Sequence, residues 1–228
     1  MEPLYPLAEG VWMAQGPVRF LGLRLTSTMT VLRLGDGGLL LCSPVALTPE
    51  RRAAVEALGP VAHLYAPNTF HHLRIGEWAA AFPSARLHAP SGLARKRRDL
   101  KIDRRHDRET EPAFAGVLDE LRVEGFRLQE CALFHRPSRT LVVADLVQNV
   151  GRPTHWWTAL YTRAMGFHDR PALSRLIRWG AFSDRRALRR SIDALLALPF
   201  ERVVVGHGPP LVSGARDALA GAYRWLGP

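Results

Sequence analysis

Between residues 11 and 42 the chain runs as short apolar stretches broken by turn formers. Val11 to Ala14, Phe20 to Leu25, Thr28 to Leu34 and Leu39 to Cys42 read as successive strands, separated by Gly16-Pro17, Thr26-Ser27 and Gly35-Asp36-Gly37-Gly38. The runs are short, β-rich and turn-bounded, the pattern of a sheet rather than of helices. The glycine-rich turn predicts a hairpin between the last two, because glycine reaches positive φ without steric cost. Ser43-Pro44 closes this opening sheet.

From Pro49 the period changes. Thr48 supplies an N-cap, Pro49 a first helical residue and Gly59-Pro60 a stop, which predicts a helix over Pro49 to Leu58. Val61 to Ala66 is a strand, Gly76 to Ala81 a short helix ended by Phe82-Pro83, and Arg86 to Ala89 another strand. This alternation is that of an α/β architecture. Leu118 to Val123, Cys131 to His135 and Thr140 to Ala144 read as further sheet segments, with Arg136-Pro137-Ser138-Arg139 joining the last two. The stretch 150–183 is least legible; a helix is expected to start at Asp169-Arg170-Pro171 after Trp156, Trp157 and Tyr161. Ser183 is expected to cap a helix with the apolar stripe Leu188, Ile192, Leu195 and Leu196. Arg202 to Val205 is a strand, and Ser213 starts a final helix through Trp225.

Three of these strands run straight into polar groups with ligand chemistry. Val61 to Ala66 leads to Asn68 and the pair His71-His72; Leu141 to Ala144 runs into Asp145; Val203 to Gly206 runs into His207. Imidazoles and a carboxylate at strand ends can converge at one sheet edge if the strands share polarity and neighbour one another. Asn68 and Asn149 are placed to orient such groups or to secure their loops. His88 and His135 read as hydrogen-bonded sheet-edge histidines more than as ligands, and Trp156, Trp157 and Tyr161 as packing of a helical insertion, with the wall of a pocket as the alternative.

Composition narrows the rest. At 228 residues with 47% hydrophobic content, a single domain with a real core is expected. Cys42 and Cys131 both lie in apolar strands and read as buried free thiols of a reducing compartment. The formal net charge is +10, which bears on association with anions and not on fold. Between Arg95 and Arg108, eight basic residues meet Asp99, Asp103 and Asp107; a solvated, internally ion-paired loop is expected, since no aromatic residue is interleaved to stack on bases. Met1-Glu2-Pro3 does not start a signal peptide, and no run reaches the roughly 18 residues of a membrane span, so a cytoplasmic location is expected. Ser43 precedes proline and Ser138 sits in a turn, so neither forms a nucleophile elbow; the glycine-rich turn is not a phosphate loop.

The order of motifs resembles the metallo-β-lactamase fold superfamily, and more closely a divergent DUF4336-like branch with Asn-x-x-His-His (Asn68 to His72), Asp-Leu-x-x-Asn (Asp145 to Asn149) and Gly-His-Gly (Gly206 to Gly208). The resemblance covers most of the chain and implies a four-layer αββα sandwich with metal at one edge. The usual His-x-His-x-Asp-His motif falls on residues 67–72, where Pro67 and Thr69 stand in place of the leading histidines, His71 replaces the aspartate and His72 matches the last histidine. Asp145 matches the bridging aspartate and His207 the late histidine, while the histidine of the intervening loop has no counterpart near Glu124-Gly125-Phe126. The resemblance therefore implies one metal held by His71, His72, Asp145 and His207, not the dinuclear centre common in the superfamily.

Nitrogen and oxygen donors of this kind suit zinc first, with iron or manganese open if water joins the shell. Metal-assisted hydrolysis of a small ester, lactone or related compound follows, with Asp145 and His207 as the groups nearest the chemistry. A metal-binding or interaction protein on the same scaffold is the alternative, marked by the altered Pro67 and Thr69. Nucleic-acid processing is the other; it requires the basic stretch to run unpaired to the metal edge.

Overall fold

The computed structural model describes residues 3–227. Strands β1 (Tyr5–Ala8), β2 (Val11–Phe20), β3 (Leu23–Arg33) and β4 (Leu39–Cys42) are antiparallel neighbours. Helix α1 (Pro49–Glu56) then carries the chain over to β5 (Val61–Tyr65), which lies parallel to β4. Helix α2 (Ile75–Ala81), β6 (Arg86–Ala89), α3 (Ser91–Lys96) and β7 (Arg104–Arg105) extend the same sheet in parallel, giving the order β1-β2-β3-β4-β5-β6-β7. The second sheet holds β8 (Leu118–Arg122), β9 (Cys131–His135) and β10 (Thr140–Val142) as an antiparallel run. After helices α4 (Trp156–Met165), α5 (Arg175–Gly180) and α6 (Arg185–Ala197), strand β11 (Arg202–Val204) pairs parallel with β10, and α7 (Ala215–Tyr223) follows.

Three apolar layers hold this arrangement. Met29, Val31, Leu39 and Leu41 face Val55, Ile75, Trp78 and Leu93 of α1, α2 and α3. Leu141, Val143 and Val203 face Leu188, Ile192, Leu195 and Leu219 of α6 and α7. Between the sheets lie Met13, Leu32, Leu40, Leu133 and Val142. Alternate residues of one strand thus serve different layers, as Leu39 and Leu40 do, which is the period-two geometry of a strand covered on both faces. Helix, sheet, sheet and helix make the expected αββα sandwich. Cys42 and Cys131 are free thiols within it, and burial pushes both well above the usual thiol range.

Local details differ from the sequence reading, each for a physical reason. Gly16-Pro17 and Thr26-Ser27 are not turns: Gly16 pairs with Ser27 and Pro17 with Thr26 inside one long hairpin that reverses at Leu21-Gly22. The turn residues are tolerated because, among the described residues, no third strand pairs with β2 past Met13 or with β3 before Thr30. The cap of α6 is Asp184, whose carboxylate accepts from the backbone amides of Arg186 and Ala187, rather than Ser183. The helix expected at Asp169 begins at Arg175, because Asp169 has φ 55° and lies in a turn. The basic stretch is not one solvated loop. Arg97–Asp99 and Lys101–Asp103 pair within it as expected, but α3 and β7 form there and Arg104 is buried.

Candidate metal centre

Parallel pairing of β10 with β11 places their ends side by side, so Asp145 and His207 emerge at one edge of the second sheet. The loop after β5 arrives there from the first sheet. Backbone hydrogen bonds fix the approach: Cys131 donates to Pro67, Thr69 to Leu128, and Thr28 to Gly206. Asn68, fully buried, organises the turn that follows. Its Oδ1 accepts from the amides of Phe70 and His71, while its Nδ2 donates to Asp145 Oδ2 at 2.8 Å and Glu130 Oε2 at 3.0 Å. Asn68 thus secures its own loop and holds the Asp145 carboxylate at once.

The structure brings His71, Asp145 and His207 together. His71 Nε2 lies 3.5 Å and His207 Nε2 3.8 Å from the same oxygen, Asp145 Oδ1, and the two rings are 5.0 Å apart. Each imidazole is held from behind by its other nitrogen: His71 Nδ1 is 2.8 Å from Ser43 Oγ and His207 Nδ1 is 2.7 Å from the Thr26 carbonyl. A carbonyl only accepts, so His207 carries its proton on Nδ1 and presents a bare lone pair on Nε2. That lone pair faces a carboxylate oxygen. A positive charge between the two, a proton or a metal ion, would stabilise acceptors placed this near. A tetrahedral ion with bonds of about 2.0–2.1 Å has donor–donor edges of about 3.3–3.4 Å. The two separations from Asp145 exceed that edge by only a few tenths of an ångström, and all three donor atoms lie within 4.8 Å of one another, so a small adjustment of the imidazoles would let the set hold such an ion.

His72 is not brought into this group. Successive residues of the turn point apart, and its Nδ1 accepts from the Arg97 guanidinium at 3.0 Å. Burial, then Lys96 and Arg97, pull its pKa down to about 4. An imidazole between two cations is a poor place for a dication. The His71-His72 pair thus divides, one member facing the sheet edge and the other facing α3.

Electrostatics at the centre follow the same contacts. Burial depresses His71, but the Asp145 carboxylate and its hydrogen bond, with Glu130, outweigh it and leave the pKa raised. Burial also works to raise Asp145, and the charges and hydrogen bonds of His71, His207 and Asn68 win, holding it below the usual carboxylate range. His207 is lowered by burial and by His71, against Asp145 and the Thr26 carbonyl. Glu130, which the sequence reading did not single out, is fully enclosed beside Asp145. Its Oε1 accepts from the amide of Ala144 at 2.8 Å and its Oε2 from that of Asp145 at 2.9 Å, and burial and the Asp145 charge raise its pKa. The only sequence signal was a carboxylate immediately ahead of the apolar run Cys131 to Phe134.

Glycine is required at position 206 by close approach. A Cβ there would sit 2.5 Å from His71 Cε1 and 2.6 Å from the Ala144 carbonyl. Gly206→Ala is expected to cost about 1–3 kcal/mol of stability by overpacking and to weaken metal uptake by displacing His71. Denaturant melts and metal titration read both. An unchanged protein would mean that His71 has room to move. Asn149 secures the same loop, its amide donating to the His207 carbonyl and its Nδ2 to that of Pro209.

A second set of ligand-type groups, His63, His88 and Glu111, lies between the sheets. It is already satisfied. Arg104 Nε donates to His88 Nδ1 at 2.6 Å, His88 Nε2 donates to His63 Nδ1 at 2.8 Å, and Glu111 takes Arg86 at 2.7 Å. A proton on His88 Nδ1 would face the Arg104 donor; burial, then Arg104, pull the pKa from 6.5 down to about 2. With the folded pKa below the unfolded one, the stabilisation is present above 6.5 and lost as pH falls. His88→Gln should reduce the loss of stability between about pH 7.5 and about pH 5 by about 2 kcal/mol. Equal pH slopes in denaturant melts would show that His88 protonates without penalty. His135 is likewise satisfied, by Ser138 and the Arg33 carbonyl.

No family model and no curated protein matches the sequence. Solved structures match the whole chain. A metallo-β-lactamase from Pontibacter korlensis is 14% identical, with a TM-score of 0.67 over 98% of this chain and 97% of that one. A putative diflavin flavoprotein fragment from Nostoc sp. PCC 7120 is 13% identical, with a TM-score of 0.69 over 98% and 94%. The metallo-β-lactamase FIM-1 from Pseudomonas aeruginosa, in its mono-zinc form, is 12% identical, with a TM-score of 0.65 over 99% and 96%. The fold of this chain, from β1 to α7, is that of the metallo-β-lactamases.

Proposed function

We propose that this chain is a single-domain, metal-dependent hydrolase of small esters, lactones or related compounds, of the DUF4336-like branch and cytoplasmic. Its one divalent ion, zinc first, is held by His71, Asp145 and His207. The observation that carries this reading is the convergence of the His207 lone pair on Asp145 Oδ1 at 3.8 Å, with His71 Nε2 at 3.5 Å from the same atom. The mono-zinc form of a protein with this fold is in keeping with it.

When bound, the ion supplies Lewis-acid polarisation of a carbonyl or phosphoryl oxygen and acidifies a water. The chain's own groups do the positioning. Ser43 and Thr26 fix the two rings, Asn68 fixes the Asp145 carboxylate through Oδ2, and Glu130 fixes the backbone from which Asp145 projects. As one of the three donors Asp145 would complete the protein's share of the shell and leave room for a water; as a base beside two imidazole donors it would orient the attacking water instead.

A non-hydrolytic metal-holding scaffold is the second reading, favoured by the burial of His71 and Asp145. A nucleic-acid enzyme is disfavoured, because Arg97, Lys101 and Arg104 of the basic stretch are paired with acids. Elemental analysis of protein purified without added metal, with a panel of ester and lactone substrates, separates these outcomes. About one divalent ion per chain with turnover supports the proposal, and about one ion without turnover supports the scaffold. Metal-free protein that takes up no ion on titration defeats both.

A further inference from the structure

The β2–β3 hairpin projects beyond the rest of its sheet and ends in exposed apolar side chains. Leu21 at its tip is 77% exposed and Phe20 is 50% exposed. Helix α4 lies along the free edge of β3: Thr158 Oγ1 accepts from the Arg24 amide at 2.9 Å, and Trp157 Nε1 donates to the Leu21 carbonyl at 3.1 Å. Beside that contact, Trp156 is 72% exposed, and Leu160, one helical turn on, is 52% exposed. Hairpin tip and helix, tied by these two hydrogen bonds, therefore set their exposed apolar side chains in neighbouring positions. One rung behind the tip, Arg19 and Arg24 stand directly opposite each other across the hairpin, both exposed. Among the described residues neither makes an ion pair, and like charges so placed destabilise a hairpin. Arg163 extends the cationic rim along α4.

We propose that this face docks on an anionic phospholipid surface, with Leu21, Phe20, Trp156 and Leu160 entering the headgroup–acyl boundary and Arg19 and Arg24 meeting phosphates. The chemistry is that of an interfacial contact: aliphatic and indole groups at the leading edge, with guanidinium groups about one residue spacing behind them. A nucleic-acid strand would need a cationic groove lined by stacking rings, and the leading side chains here include two leucines. The repulsion between Arg19 and Arg24, a cost in the free protein, becomes attraction to an anionic surface. The inference is independent of hydrolysis at the metal centre.

The test is cosedimentation of the full chain with vesicles of phosphatidylglycerol and phosphatidylcholine, against phosphatidylcholine alone. Partitioning is expected to be at least about tenfold stronger on the anionic vesicles and to fall steeply at high salt. Leu21→Ser with Trp156→Ser, and separately Arg19→Glu with Arg24→Glu, should each lower it by about tenfold or more. Melting temperature and metal content should hold, since the altered side chains are exposed. No pelleting with anionic vesicles overturns the proposal, as does undiminished binding by both double variants. So does lipid-free self-association of the parent that the same variants abolish, which would make the face a contact with a second copy of this chain.

Discussion

Asp145→Ala will lower affinity for a divalent ion by more than about 100-fold, beyond the loss that follows when only an outer partner of a metal ligand is removed. In the proposed site Asp145 would be the one anionic donor of the three, so its loss would leave two neutral imidazoles to hold a dication. Ser43→Ala, which frees only His71 Nδ1, is expected to cost about 10- to 100-fold. His72→Ala should leave affinity unchanged, because that ring faces Arg97. Competition against a chromophoric chelator measures all three, and hydrolysis should follow metal occupancy. If His72→Ala loses the ion while Asp145→Ala keeps it, the donor set named here is the wrong one.

That contrast also marks how far the sequence could be read. His71, Asp145 and His207 are visible because each follows an apolar strand; β10 and β11 run parallel and deliver Asp145 and His207 to a common edge, while backbone hydrogen bonds bring the loop after β5 to it from the other sheet. His72 follows the same strand, yet its direction depends on the turn that Asn68 builds, and residue type does not encode it. Glu130 was invisible for a different reason. Nothing local requires a carboxylate there; its partners are the amides of Ala144 and Asp145 and the side chain of Asn68, all distant in sequence. The long hairpin shows the same limit from the other side. Gly16-Pro17 and Thr26-Ser27 have turn chemistry, and tertiary pairing overrides it by setting them opposite each other. The apolar layers were easier, since Leu188, Ile192 and Leu195 repeat with the period of a helix and pack inward as expected.

Arg104 is the residue where composition misleads most, and replacing it will show this. It belongs to a run of basic residues that reads as solvated, but it is 2% exposed, and its guanidinium donates to both Glu120 oxygens, to His88 Nδ1 and to the Glu109 carbonyl. Glu120 in turn accepts from the Tyr65 hydroxyl at 2.7 Å. Arg104→Leu keeps much of the volume and removes the cation from a carboxylate that stays largely enclosed. Breaking a buried pair in this way costs about 3–5 kcal/mol, more than the pair itself is worth. The companion variant Arg104→Leu/Glu120→Gln should recover part of that loss, because no unpaired charge remains and an amide can still accept from Tyr65. Denaturant midpoints at neutral pH measure both. If the single variant stays within about 1 kcal/mol of the parent, water reaches Glu120 and the network between the sheets is not the closed unit described.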